Sequence, residues 1–250
     1  IKYFAIRKFT ERCNSFPLSC TPTRQLNTLM KRFARLDIYH DVVPRSAAMN
    51  MAIDEALLET AKIPSMRFYR WNSLALSFGY FGKFADVANY AAQCDLVRRW
   101  TGGGIVFHED DLTYSIIIPT SVEFFSASSK MVYAAIHSAL RDALITHGEQ
   151  AQLAEAARQK ISESCFANPV HADVLVNGRK VAGGAQRRTR AGLLHQGSIQ
   201  NVDLGNGLAE RFAKELSDDC SEKLLGESLI ERAHELAEQK YSSVSWLQRR

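Results

Sequence analysis

Lys180 stands in the run Asn177-Gly178-Arg179-Lys180-Val181-Ala182-Gly183-Gly184-Ala185-Gln186. A lysine held beside paired glycines can set its ammonium on a carbonyl oxygen or a phosphate and stabilise a developing oxyanion. A solvated strand lysine is the plainer alternative. Cys165 precedes it in the run Cys165-Phe166-Ala167-Asn168-Pro169. A thiolate near a lysine has a lowered pKa and can accept an acyl group as a thioester. A cysteine beside phenylalanine also reads as a buried apolar residue. A third constellation is Arg98-Arg99-Trp100-Thr101-Gly102-Gly103-Gly104-Ile105-Val106-Phe107-His108, with Asp111 just beyond. Gly102, Gly103 and Gly104 can adopt positive φ and let a ligand lie against the backbone. Arg98 and Arg99 can grip a carboxylate or phosphate. Neighbours on a strand point opposite ways, so one arginine faces a pocket and the other the sheet or solvent. His108 can bond the loop or orient a substrate. Asp173, whose plain role is capping a strand turn, and His195, in Leu194-His195-Gln196-Gly197-Ser198, complete the set.

The elements around these residues can be read from periodicity. Leu36–Tyr39 is a short strand. Pro44-Arg45-Ser46 opens a helix to about Lys62, with Asp54 and Glu59 on its surface. Met66–Trp71 and Leu74–Phe78 read as a hairpin turning at Asn72-Ser73. Arg67, Phe68, Tyr69 and Trp71 could line a tunnel or simply pack a core. A helix is expected over Asp86–Gln93, and a strand over Leu96–Trp100 feeds the glycines. Lys130–His147 is a helix with an apolar stripe, read as scaffold and ended by Gly148. Ala151–Gln159 is weakly helical. Val174–Val176 is a strand, and Asn177-Gly178 signals a type I′ turn, so Lys180 sits near the start of the return strand. Leu193–Gln200 is a further strand. Leu208–Leu216 and Ser221–Gln239 are helices. Strands dominate the middle and helices flank them: an α+β fold, a single domain with a mixed, mostly antiparallel β-sheet flanked by helices.

The chain has 250 residues, is 46% hydrophobic and 23% charged, and carries a net charge of +4. The basic excess lies in residues 1–36, where eight lysines and arginines face Glu11 alone. The remainder is mildly acidic, which argues against nucleic-acid binding. Residues 1–36 are expected to form a basic extension outside the fold, in composition like an organelle transit segment or an unfolded tail. The domain is expected over 37–250. No run of about 18 apolar residues suggests a membrane span. Cys13, Cys20, Cys94, Cys165 and Cys220 show no paired spacing, which fits a reducing, cytoplasmic compartment without disulfides or a zinc ribbon.

Together the glycine-rich and Lys180 stretches resemble the catalytic domain shared by lipoate-protein ligases, octanoyltransferases and biotin-protein ligases. Asn50–Ala56, the Arg-x-Tyr-x-Trp of Arg67–Trp71 and the Gly-Gly-Gly-x-Val-x-His segment add to the resemblance. It implies that Lys180, in the Gly-x-Lys-x-x-Gly-x-Ala-Gln pattern of Gly178–Gln186, is the hallmark active-site residue. The Cys-Phe-x-x-Pro run is similar to that of cysteine-dependent octanoyltransferases, implying that Cys165 is their nucleophile. Arg98, Arg99, Gly102, Gly103, Gly104, His108, Asp173, Gly183, Ala185 and His195 are implied to bind substrate. The reaction implied is transfer of an octanoyl or lipoyl group from octanoyl-acyl-carrier protein to a lysine of an apo lipoyl domain or glycine-cleavage H protein. That transferase needs neither metal nor other cofactor.

The alternative is an ATP-dependent lipoate-protein ligase using ATP and Mg²⁺ through lipoyl-AMP. Ligases tend to carry Asn-Asp where this chain has Ala172-Asp173, and the accessory C-terminal domain of many ligases is not found within these 250 residues. The Gly-Arg-Gly-Arg type loop of biotin ligases is also missing. A third reading is a non-catalytic binder of lipoyl domains or acyl-carrier protein. Relatives commonly read Gln-His-Gly-Ser where this chain has His195-Gln196-Gly197-Ser198. A shift of one residue turns a strand histidine to the opposite face.

Overall fold

The computed structural model describes residues 31–157, 166 and 168–249. Cys165, most of residues 1–36 and the end of the segment read as weakly helical lie outside them. The strands are β1 (Leu36–Arg45), β2 (Ser65–Trp71), β3 (Ala75–Phe78), β4 (Asp95–Arg98), β5 (Val106–His108), β6 (Leu112–Pro119), β7 (Ala151–Leu153), β8 (Val174–Val176), β9 (Arg179–Arg188), β10 (Gly192–Ile199) and β11 (Cys220–Lys223). The α-helices are α1 (Ala47–Thr60), α2 (Ser129–Thr146), α3 (Leu208–Leu216), α4 (Glu227–Leu236) and α5 (Val244–Leu247), with a π-helical turn over Ala237–Tyr241.

One sheet has eight strands in the order β11-β1-β2-β6-β10-β9-β8-β7. β1 runs parallel to both β11 and β2; the remaining neighbours are antiparallel. A second sheet orders β4-β3-β5. This is the expected α+β architecture, mixed but mostly antiparallel, flanked by helices. Side chains alternate across the central strands. Tyr114, Ile116 and Ile118 of β6 join Val132, Ile136 and Leu140 of α2 and Phe212 of α3 in one core. Ile117 of β6 and Leu194 of β10 meet α1 and α4 in the other. Both long helices begin on a serine cap: Ser46 Oγ accepts from Met49 N–H, and Ser128 Oγ from Met131 N–H.

Several expectations are corrected. Met66–Trp71 and Leu74–Phe78 are not a hairpin: β2 lies inside the large sheet between β1 and β6, and β3 belongs to the small one. β2 is buried on nearly every residue, so both its edges are taken by strands distant in sequence. Asp86–Gln93 forms short 3₁₀ turns at Phe84–Asp86 and Ala88–Tyr90 instead of a helix. Ala151–Leu153 pairs with β8 as a strand. Cys220–Lys223 pairs with β1 before the last long helix starts at Glu227. Phe33 is buried, and its N–H donates to the Leu216 carbonyl, so packing begins ahead of the expected boundary at residue 37. Among the described residues no helix is long and apolar enough to cross a membrane.

Asp54 is wholly buried, not on the surface of α1. Arg67, equally buried, donates to its Oδ1 at 2.9 Å, to Asn50 Oδ1 at 2.7 Å and to Asp41 Oδ2 at 2.8 Å. Tyr69, Ser115 and Gln196 also donate to the Asp54 carboxylate. Removing one partner from a buried ion pair leaves an uncompensated charge. Arg67→Ala is therefore expected to lower unfolding free energy by about 3–5 kcal/mol, measured by urea denaturation. Burial raises the Asp41 carboxyl, but Arg45 and Arg67 outweigh it and hold it below its ordinary value. A depressed carboxyl stabilises the fold above its unfolded pKa and loses that contribution as pH falls through its folded pKa. Asp41's contribution should therefore persist at neutral pH and disappear below about pH 4, and Asp41→Asn should blunt that acid loss in pH-dependent melts.

Candidate active site

Lys180 reaches the site through a turn and a bulge. Asn177 and Gly178 take φ of 50° and 73°, both positive as a type I′ turn requires. On the return strand Lys180 pairs with Leu175 and Ala182 with Val174, so the register slips between them. The extra residue puts Val181 and Ala182 together in the α2-side core. Lys180 then shares the opposite face with Gly183, re-aimed as bulges do. Its Nζ lies 2.8 Å from Asp173 Oδ2, with both side chains buried. A side chain at Gly183 has no room, because its Cβ would fall 2.5 Å from Lys180 Cε.

Asp173 is fixed from three directions. Val170 N–H donates to Oδ2 at 2.7 Å, Tyr133 O–H donates to Oδ1 at 2.5 Å, and Lys180 completes the set. The preceding Ala172 has φ of 66°, a left-handed conformation that asparagine tolerates better than alanine. Phe166, the neighbour of Cys165, turns its ring to Lys180 Nζ at 5.4 Å.

The arginines divide as alternation requires. Arg99 donates to Ser77 Oγ at 2.7 Å and to the Gly102 and Gly104 carbonyls at 3.0 and 2.8 Å. It thereby clamps the glycine loop, in which Gly103 sits at φ 89°. Arg98 faces away from the loop. Its guanidinium gathers the carbonyls of Tyr80, Gly82, Trp246, Leu247 and Arg249, fastening α5 to the small sheet. Arg98 is thus a structural anchor and is not brought to the site.

A cavity opens between these elements. Lys180, Gly183, Ala185, Gly103 and Phe166 line one part of it, and Met51, Tyr69, Trp71, Thr113 and Gln196 another. The polar wall groups are taken up by hydrogen bonds within the protein. His108 contacts Ser77 Oγ at 2.6 Å through Nε2 and Asp111 Oδ2 at 2.8 Å through Nδ1, and Trp71 stacks on its ring at 4.0 Å. Burial lowers the His108 pKa despite Asp111. Burial raises Asp111, but His108, Ser198 and Thr113 outweigh it and hold the carboxyl below its ordinary range. Tyr69 and Trp71 line the cavity as expected of tunnel residues. Arg67 is committed to the Asp54 network, and Phe68 packs on the other face against Phe212.

The one-residue shift at His195 has its predicted consequence. His195 is buried on the α2 side, stacked on Tyr114 and close to His137, and burial drives its pKa well down. Gln196 takes the cavity face instead. It donates to Asp54 Oδ2 and accepts from Thr101 Oγ1, both at 2.7 Å, joining α1 to the glycine loop.

A larger and more open cavity adjoins the first and shares Gly103, Gly184 and Ala185 with it. Lys130, Tyr133, His171 and Gln186 are among its walls. Gln196, Ser77, Asp54 and Tyr133 were not anticipated as site residues. The available signal was polarity in the wrong place: Tyr133 and His137, four apart, flank the apolar stripe of α2.

Comparison with known proteins agrees with this geometry. The model of the lipoyl protein ligase A/B catalytic domain matches residues 46–236. The octanoyltransferase LipM of Oceanobacillus iheyensis is 39% identical over 173 residues, 64% of this chain and 63% of its own. That of Halalkalibacterium halodurans is 37% identical over 202 residues, covering 72% of this chain and 73% of its own. The chain thus spans less than two thirds of the first of these relatives and under three quarters of the second. Among solved structures, a lipoate protein ligase of T. acidophilum with bound lipoic acid superposes with a TM-score of 0.70 at 21% identity, covering 86% of this chain and 99% of that one. A lipoate-protein ligase A bound with ATP gives 0.69 at 20%, covering 86% and 98%. A further T. acidophilum structure, of a bipartite lipoate protein ligase and its E2 lipoyl domain, gives 0.65 at 19%, covering 86% and 96%. At these identities the structural likeness is one of fold. With the family model spanning both glycine-rich stretches and the Lys180 strand, the chain belongs to the lipoyl protein ligase A/B catalytic domain family.

Proposed function

We propose that this protein is an octanoyltransferase of protein lipoylation. It takes the octanoyl group from octanoyl-acyl-carrier protein and attaches it by an amide bond to a lysine of a lipoyl domain or glycine-cleavage H protein. The observation that carries this is the Lys180 ammonium, buried against Asp173 in the wall of a cavity whose polar side chains are taken up by hydrogen bonds within the protein. Such a cavity takes an alkyl chain, and such an ammonium awaits a developing oxyanion. The LipM relatives support the octanoyl group, and the E2 lipoyl domain of the T. acidophilum system supports the acceptor class.

In this reading Cys165 attacks the thioester carbonyl and the carrier thiol leaves. Lys180 donates a hydrogen bond to the oxyanion, and the Phe166 ring packs beside the reacting centre. The acceptor amine then displaces the cysteine sulfur. No cofactor enters this sequence. The ligase alternative uses ATP and Mg²⁺. Asp173, the acidic residue expected to serve them, has both oxygens engaged by Lys180, Val170 and Tyr133, so a cation there must displace one of these.

Intact-mass measurement decides between the two. Octanoyl-acyl-carrier protein without ATP should add an octanoyl group to apo H protein, with an octanoyl adduct on Cys165. Cys165→Ala should lose both. Modification that needs octanoate with ATP and Mg²⁺ and survives Cys165→Ala would make the protein a ligase. Lys180→Ala should lower the transfer rate about 10²–10³-fold, the range for a lost oxyanion donor. Gly183→Ala should approach the same deficit, because its new Cβ would fall 2.5 Å from Lys180 Cε and 3.2 Å from Asp173 Oδ1 and displace the ion pair.

A further inference from the structure

We propose that Tyr133 is a catalytic residue of the transfer step: its hydroxyl takes a proton from the attacking acceptor amine while passing its own proton to Asp173. The proposal rests on the octanoyl-transfer reading above.

The hydroxyl is placed for this. It donates to Asp173 Oδ1 at 2.5 Å and accepts from Gly184 N–H at 3.1 Å. A phenolic oxygen has one proton and two lone pairs. These bonds use the proton and one pair. Among the described residues no other group bonds this oxygen, so one acceptor position is left. Tyr133 lies in the wall of the second cavity, which shares Gly103, Gly184 and Ala185 with the cavity that Lys180 lines. An N–H arriving through the second cavity is the group that position can receive.

The chemistry needs such an acceptor. An amine that has attacked a thioester carbonyl bears a positively charged nitrogen, and the adduct reverts unless that nitrogen loses a proton. Lys180, as an ammonium paired with Asp173, has three donors and no lone pair. His195 is wholly buried between Tyr114 and Gln186 and lines neither cavity. His137 is turned to the Ala172 carbonyl through Nδ1 and buried in the core. Tyr133 alone joins a cavity wall to a carboxylate oxygen that carries no other bond in the described structure. In the step, the C–N bond forms and the nitrogen's proton moves to the Tyr133 oxygen as that oxygen's own proton moves to Asp173 Oδ1. The C–S bond then breaks, leaving its electron pair on sulfur. Asp173 then gives its proton up through Tyr133 to solvent in the second cavity, so the tyrosine and aspartate finish as they began. Burial and the Asp173 charge raise the Tyr133 pKa far above its ordinary value, so the group works as a protonated relay and not as a phenolate.

Tyr133→Phe keeps the ring that packs on His137 and His195 and removes only the oxygen. The assay is single turnover with octanoyl-acyl-carrier protein, with and without apo H protein, from neutral to alkaline pH. Release of the carrier thiol without acceptor should fall far less than transfer, and an unchanged melting temperature reports that the variant folds. Transfer to the acceptor should fall at least about a hundredfold at neutral pH, the range for a lost proton-transfer group, and the deficit should narrow as pH rises and hydroxide takes over. Transfer equal to wild type overturns the relay. So does a parallel loss of thiol release and transfer with a deficit independent of pH, the signature of a structural role. A wild-type protein that transfers no octanoyl group overturns the function reading and the relay together, whereas an active wild type beside an equally active variant overturns the relay alone.

Discussion

The buried Asp54 carboxylate ties the site to the scaffold. It lies out of water on α1, and its oxygens accept from Arg67, Tyr69, Ser115 and Gln196, which belong to β2, β6 and β10. A carboxylate in such surroundings is tolerated only when it is paired and its lone pairs are filled. The strands that satisfy it must therefore hold their register, and α1 must hold its rotation. Gln196 extends this constraint to Thr101 and so to the glycine loop. Arg99 closes the loop from the opposite side through the Gly102 and Gly104 carbonyls. The loop that forms the cavity mouth is fixed by polar bonds to a core that cannot shift without exposing charge.

Much of this was legible from residue types. The glycine loop, the Asn177-Gly178 turn, the α2 stripe and the placement of Lys180 on a return strand follow from local chemistry, and the structure has them. What failed was non-local. The expected hairpin between Met66–Trp71 and Leu74–Phe78 looks sound over a short window, but β2 finds its partners in β1 and β6. Cys220–Lys223 becomes a strand only because β1 offers an edge far away in sequence. Asp54 appeared to be a surface charge because helical periodicity cannot show that four donors converge on one acid. The site was legible to the same degree. Alternation predicted that Arg98 and Arg99 would separate, but only the fold could show which one holds the loop.

His195 and Gln196 show what one position costs in a strand. Alternation on β10 sends residue 195 into the α2-side core and residue 196 to the cavity. The histidine becomes a buried neutral ring against Tyr114, and the glutamine becomes a bridge between α1 and the loop. A glutamine can do this because its amide donates and accepts at once, toward Asp54 on one side and Thr101 on the other. A neutral histidine there would also have one donor and one acceptor, but its ring holds them at a fixed separation, and protonation would remove the acceptor. The swap therefore trades a titratable group for a permanent bridge on the cavity face.

The bulge at Val181 completes the argument about charge. Without it, regular alternation would place Lys180 on the side of Ala182, among the apolar residues of α2, where an ammonium has no partner. With it, Lys180 crosses to Gly183 and Asp173, and two apolar residues fill the core in its place. The ion pair that results has its cation at the cavity and its carboxylate held by backbone and phenol, so the lysine is a donor in its resting state. A site with its cation committed to donating needs its proton acceptor elsewhere. The described structure joins that same carboxylate to the second cavity through one hydroxyl, so the division between stabilising charge and moving protons is built into the geometry around Asp173.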